Sequence, residues 1–281
     1  MFRIPCIRLS AFLRACGALP LLLSACAEAP PQQGQQPPPV PLTRTAADMP
    51  APSAEGWPAP AILLGLFDPA QEPGFARIPD LYTSGNARGA WMQREALDAF
   101  VRMAAAAKQE GVSLTILSAT RTFAYQTGIW EAKWTGAREV EGENLALTTS
   151  DPVERARKIL RYSAMPGASR HHWGTDIDLN ALTNSHFESG AGLKTFQWLE
   201  RRAAEFGFCR PYTAKGAARP YGYEEEKWHW SYLPIAGEYL KAYEHLIGPE
   251  MIKGFKGDAT AAQIQIIGHY VKGIAPECIL P

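Results

Sequence analysis

The chain has 281 residues, enough for one domain with a sizeable core, and its 28 Lys and Arg are matched by 28 Asp and Glu. That balance lacks the basic excess of a nucleic-acid-binding protein. It turns mildly acidic once residues 1–25 are set aside, because they hold three arginines and no acid, leaving 28 − 3 = 25 basic against 28 acidic side chains.

In chain order, residues 1–25 read as an export signal. Arg3, Arg8 and Arg14 form a positive start, and 15–23 form an apolar core too short to span a bilayer. Leu23-Ser24-Ala25-Cys26 resembles the lipobox of bacterial lipoproteins, which implies cleavage before Cys26 and lipidation of its thiol. Ala27 after that cysteine implies, by the same resemblance, an outer-membrane anchor facing the periplasm of a bacterial cell envelope. Residues 26–60 then form a Pro/Gln-rich tether. Ten prolines fall in 27–60 with few large apolar side chains, so the segment lacks the surface to build a core. In polyproline geometry about 30 residues reach on the order of 90 Å. With Cys6 and Cys16 in the signal and Cys26 lipidated, only Cys209 and Cys278 remain. In an oxidising compartment they form one disulfide, the alternative being two buried free thiols.

Residues 61–281 read as one domain. A helix is expected over 91–110, with Leu97, Phe100, Val101 and Ala104 on one face, followed by a β-rich run over 112–118. Helices follow over 122–134 and 152–162, then an alternating strand over 175–179. Leu193, Phe196, Leu199, Ala203 and Phe206 mark another helix, stopped by Gly207. A strand over 228–232 precedes a helix over 234–246 opened by proline, and Ile266, Ile267, Tyr270, Val271 and Ile274 fit one helical face. Helices interspersed with short strands, without regular strand–helix alternation, predict an α+β fold with an antiparallel sheet.

The chemistry concentrates in two segments. Ser169-Arg-His-His-Trp-Gly-Thr-Asp-Ile-Asp178 and Glu226-Lys-Trp-His229 hold three of the chain's six histidines. A loop running through Gly174 into a strand can bring His171 and Asp178 to one point, with His229 completing the group from a second strand. Two neutral imidazoles and one carboxylate leave a zinc ion a net +1 with a fourth position open to water, whose pKa the metal lowers to about 7. Glu226, on the turn entering the second strand, is placed to act as general base and then general acid. Asp176 shares a strand face with Asp178. It therefore reads as a carboxylate behind the metal, a contact for a substrate amine or an alternate ligand. His172 reads as a structural histidine rather than a ligand, and Trp173 and Trp228 as packing around the site.

Ser-x-His-x-x-Gly-x-x-x-Asp followed by Glu-x-Trp-His resembles the VanY-type D-alanyl-D-alanine carboxypeptidases over roughly residues 90–235. The resemblance implies a zinc peptidase of Hedgehog/DD-peptidase-like α+β fold, a small antiparallel sheet flanked by helices. It implies that His171, Asp178 and His229 bind zinc and that Glu226 is the catalytic acid/base. Ser118-Ala-Thr-Arg121-Thr-Phe-Ala-Tyr-Gln126 is similar to an upstream family segment. By that likeness Arg121 contacts substrate or stabilises an oxyanion, and Ser169 and Gln126 lie near the substrate. From the residues alone, a guanidinium at Arg121 suits a terminal carboxylate or a developing negative charge, with a surface ion pair as the alternative, while Ser169 equally suits a loop cap and Gln126 a helix surface. The expected function is zinc-dependent trimming of peptidoglycan stem peptides. The alternatives are an L,D-carboxypeptidase or D,D-endopeptidase of the same fold, or a non-catalytic wall-binding lipoprotein.

Overall fold

The computed structural model describes residues 56–280. The signal segment, the lipidation cysteine Cys26 and most of the tether therefore lie outside the described residues. In chain order the elements are α1 (Pro60–Leu63), β1 (Phe75–Arg77), β2 (Trp91–Gln93), α2 (Arg94–Gln109), β3 (Ile116–Ser118), α3 (Phe123–Trp134), α4 (Leu145–Thr148) and α5 (Pro152–Ile159). They continue with β4 (Asp176–Leu179), α6 (Gly190–Arg202), β5 (Phe208–Cys209), β6 (His229–Tyr232), α7 (Leu233–Leu246) and α8 (Thr260–Gln263). Strands β1 and β2 make a small hairpin-like pair, while β3, β4, β6 and β5 line up in that order as an antiparallel sheet. This is the α+β architecture expected from the sequence. Among the described residues no helix is long and apolar enough to cross a membrane.

Side-chain alternation along β4 and β6 divides the sheet chemically. Ile177, Leu179, Trp230 and Tyr232 face one way, into a core shared with Leu97, Phe100 and Met103 of α2 and Leu199 of α6. Asp176, Asp178, His229 and Ser231 therefore face the other way, because successive strand residues point to opposite sides. Beyond them lies a second core in which Trp130, Leu160, Trp173, Tyr243, Phe255 and Ile266 are buried. The polar row is thus enclosed between two apolar clusters, and all four residues of each strand are buried.

Three expectations shift in detail. Residues 91–93, expected as the start of a helix, are strand β2, because Trp91–Gln93 pair with Phe75–Arg77 and Gln93 N–H donates to the Gly174 carbonyl. The helix therefore begins at Arg94. The β-rich run shortens to Ile116–Ser118. The last apolar stretch is broken where Gln265 takes a left-handed φ of 56°, so a short α8 gives way to a π-helical turn at Ile267–Val271. Ile264, Ile266, Val271 and Ile274 nevertheless bury their side chains in the second core, as their spacing requires. Trp57 lies against His245 at the end of α7, with ring centroids 4.8 Å apart. Cys209 and Cys278 are bonded, with S–S at 2.03 Å and Cα atoms 5.6 Å apart, tying β5 to the C-terminal segment.

Candidate active site

Register builds the site. Asp178 stands opposite Ser118 on β3 and opposite His229 on β6, so these three side chains form one row across the sheet. Asp176 stands opposite Ser231 one row away. His171 comes from a 3₁₀ turn, Arg170–Trp173, closed by Gly174 at φ 74°. A Cβ on Gly174 would sit 2.3 Å from Phe75 Cε1, so only glycine lets the chain turn there from His171 into β4.

His171 Nε2 lies 3.3 Å and His229 Nδ1 3.1 Å from Asp178 Oδ1. The ligand atoms of these three residues all fall within 4.8 Å of one another. Ligands at ~2.1 Å around a tetrahedral metal are separated by roughly 3.4 Å, so the spacing suits a small divalent cation. The outer contacts set the tautomers. His171 Nδ1 donates to the Ala119 carbonyl at 2.9 Å and His229 Nε2 to Asp176 Oδ2 at 2.8 Å, so both remaining ring nitrogens turn lone pairs toward one point. Asp178 Oδ1 is buried and has no hydrogen-bond partner, whereas Oδ2 accepts from Arg121 at 2.7 Å. A buried carboxylate oxygen without a partner, flanked by two imidazole lone pairs, is the donor set of a metal centre.

The ionisation of the group is cooperative. Burial pushes Asp178 up, but His171, His229 and Arg121 hold its carboxyl well below the usual range. Burial also opposes charge on His229, yet its bond to Asp176 and the nearby carboxylates of Asp178 and Glu226 raise it well above the ordinary imidazole value, so a cation binding there displaces the Nδ1 proton to reach the lone pair. In His171 the balance runs the other way, since burial and the charge of Arg121 lower it. Glu226 precedes β6, with Oε2 3.5 Å from His229 Nδ1. Its burial raises its pKa, the direction a proton-transferring carboxylate needs.

Asp176 takes the place behind the metal group. Its Oδ1 accepts from Thr175 and Ser231 hydroxyls, each at 2.7 Å, and its Oδ2 from Arg170 Nε at 3.1 Å as well as from His229. Every lone pair therefore has a task, which rules it out as an alternate ligand in this arrangement. Sequence reasoning missed Arg170, a buried guanidinium that stacks over Trp173 at 4.5 Å and braces Asp176. The signal was available, since an arginine in a buried motif requires a carboxylate and Asp176 of the same motif, read as a carboxylate behind the metal, an amine contact or an alternate ligand, is given no cation of its own. Tyr212 was missed too. Its ring lies 4.6 Å from that of His229, and burial together with the charges of Asp176, Glu226 and Asp178 keeps its phenol protonated, with Arg170 opposing. No spacing marks it.

The other expected residues sit as follows. His172 is buried, its Nδ1 bonded to the Arg121 carbonyl at 2.6 Å and its Nε2 accepting from Gly167 N–H, which makes it a backbone staple. Burial pushes its pKa down to about 4, so it stays neutral. Trp173 is buried with Nε1 donating to the Leu63 carbonyl, a packing position. Arg121 donates from Nε to Ser118 Oγ at 2.9 Å, as well as to Asp178. Gln126 is fully buried; its amide nitrogen donates to the Ala164 carbonyl and its oxygen faces Arg121 Nη1 at 3.5 Å. It therefore lies behind Arg121 rather than on a helix surface. Ser169 is buried at the start of the His171 turn, and its side chain makes no capping hydrogen bond there. A cavity of about 560 Å³ lined by Leu199, Phe208, Trp230 and Leu233 includes none of the metal-group residues.

The sequence profile described as VanY: D-alanyl-D-alanine carboxypeptidase matches residues 89–235, just over half of the chain. The chain belongs to this family. It is 28% identical over 166 residues to the putative carboxypeptidase YodJ of Bacillus subtilis, covering 58% of this chain and 54% of that protein. It is also 28% identical over 130 residues to a D-alanyl-D-alanine carboxypeptidase of Enterococcus faecalis, covering 46% and 44%. The chain thus spans about half the length of the curated relatives it matches. Among solved structures it is similar to the LdcB LD-carboxypeptidase at 23% identity and a TM-score of 0.46, covering 64% of this chain and 75% of that one.

Proposed function

We propose that the chain is a zinc-dependent D-alanyl-D-alanine carboxypeptidase that trims peptidoglycan stem peptides. The observation that carries this is the partnerless Asp178 Oδ1, set between two imidazole nitrogens with Glu226 alongside. Zinc held by His171, Asp178 and His229 would supply a polarised carbonyl and a water with its pKa lowered to about 7. Glu226 takes the proton of the attacking water on its carboxylate and returns it to the nitrogen of the departing residue. Arg121, held by Ser118 and Asp178 and backed by Gln126, presents its guanidinium to the negative charge that develops on the carbonyl oxygen. Asp176 and Arg170 keep His229 in one tautomer and one orientation.

The test is digestion of purified peptidoglycan by the full chain, with released fragments identified by mass spectrometry. Wild type is compared with Glu226→Ala, each with and without a chelator. Release of a terminal alanine by wild type alone, abolished by chelation, supports the reading. Synthetic stems with L,D and D,D termini then separate the two carboxypeptidase specificities. No release while one zinc is bound per chain overturns it in favour of a wall-binding protein. Export and lipid anchoring through Cys26 belong to the same reading and rest on the N-terminal sequence. Loss of lipid labelling and of membrane association in Cys26→Ser is the expected result, and unchanged labelling contradicts it.

A further inference from the structure

On α3, seven residues beyond Gln126 and on the same face, Lys133 turns its ammonium onto the Ser163 hydroxyl, next to the Ala164 carbonyl that binds Gln126. Lys133 is half-buried, and among the described residues it has no ion-pair partner within salt-bridge distance. Contacts connect it to the catalytic group in steps, from Ser163 to the adjoining Ala164, to Gln126 and on to Arg121, and Arg138, Arg121, Glu226 and Glu141 are the charges that act on it. Neither carboxylate is free to pair with it, since Glu226 faces His229 and Glu141 is bonded to Arg161 at 2.6 Å. Burial and the neighbouring positive charges bring its pKa down to about 8. A half-buried ammonium without a counter-ion within salt-bridge distance is costly unless an anion arrives from outside.

We propose that Lys133 and Ser163 form the subsite for the free α-carboxylate of the substrate's terminal residue. The inference rests on the peptidase reading above and sharpens it toward an exopeptidase. In a carboxypeptidase substrate the terminal carboxylate lies one residue beyond the scissile carbonyl, so its binding site must be close to Glu226 without belonging to the metal group. Arg121 is set to the oxyanion in the reading above, with Nε on Ser118, Nη2 on Asp178 and Nη1 only part free beside Gln126, so the terminal carboxylate calls for a second cation. The Lys133 ammonium has three donors and gives one to Ser163, leaving two for a carboxylate. An endopeptidase would have to lead an uncharged peptide past this cation and leave it unpaired.

The experiment measures binding without turnover. The zinc-loaded full chain carrying Glu226→Ala is titrated calorimetrically with a stem peptide ending in D-alanyl-D-alanine, as the free acid and as the C-terminal amide. Side-chain carboxylates are identical in the two ligands, so only the terminal charge is tested. We expect the acid to bind about 10- to 100-fold more tightly. Adding Lys133→Met removes that difference by weakening the acid alone, Lys133→Arg keeps part of it, and Ser163→Ala reduces it. Equal binding of acid and amide, no binding of either, a preference that survives Lys133→Met, or an equal loss for both ligands overturns the subsite. Near-ultraviolet circular dichroism checks the fold of each variant, and Ser163→Ala carries the test if Lys133→Met does not fold. Failure of wild type to release alanine, with the acid preference intact, would retire the hydrolase reading and leave the carboxylate subsite standing.

Discussion

Two walls face each other across the site and are built on opposite rules. The wall from β4 and β6 is closed: Asp176 has four donors, His229 is held through Nε2 by Asp176, and Asp178 Oδ1 is left without a hydrogen bond. The wall from α3 and the 163–169 loop is open. Arg121 is only partly engaged at Nη1, the Lys133 ammonium lacks a counter-ion, and the Ser169 side chain leaves its turn uncapped. Where a group must hold a fixed partner, the sheet supplies rigid register and complete hydrogen bonding. Where a substrate must come and go, charges are left for it to satisfy.

The comparison can be broken most directly at the closed wall. His229→Ala removes one ligand and leaves Asp176, Asp178 and Glu226 close together without their shared imidazole. Zinc stoichiometry measured by atomic absorption should fall to near zero and turnover with it; a variant that keeps one zinc per chain would show that the row is not the metal centre. Next in size is Glu226→Gln. Turnover should drop roughly 10²- to 10⁴-fold, the range for loss of a general acid/base, while zinc remains bound at one per chain. Loss of zinc in that variant would move Glu226 from proton transfer to metal binding.

Asp176→Asn tests the support behind the metal. Zinc affinity, measured by competition with a chromophoric chelator, should weaken roughly 10- to 100-fold. Arg170 loses its buried partner, so denaturant unfolding should register a loss of about 3–5 kcal/mol. Unchanged zinc affinity would mean that the tautomer of His229 is set elsewhere. The smallest effect belongs to the open wall. Ser118→Ala frees the Arg121 Nε donor and should lower turnover about tenfold, with zinc binding unmoved, since a hydrogen bond to a charged group contributes about 1.5–3 kcal/mol. A change in zinc affinity there would join the two walls into one unit.

Much of this was legible in the chain itself. His171, Asp178, His229 and Glu226 stand out because few residue types bind metals or move protons, and their spacing places them on a turn, a strand and a turn before a strand. Helices α2 and α6 announce themselves through 3.6-residue periodicity, α5 and α7 through Pro152 and Pro234 near their starts, and the end of the α6 segment through Gly207. Strand β2 was not legible, because Trp91–Gln93 are extended only through their pairing with Phe75–Arg77 and the Gly174 carbonyl.

By itself, then, the sequence determined the chemical inventory and the periodicity of the larger elements, which are local properties of side-chain type and spacing. Only the tertiary structure decided which partners each carboxylate and cation meets. Asp176 and Asp178 are alike in chemistry and two residues apart on one strand, and in the sequence only the motif register sets Asp178 apart. They diverge because the β4–β6 register sets one beside Ser231 and Arg170 and the other beside His171, with Oδ1 left without a hydrogen bond. Tyr212 and Lys133 carry no motif that reveals their place, and Arg170, though inside one, meets its partner Asp176 only through the fold. Their roles arise from long-range packing, which brings 3₁₀ turn, loop and helix to the same polar face of a sheet, and no local pattern encodes that approach.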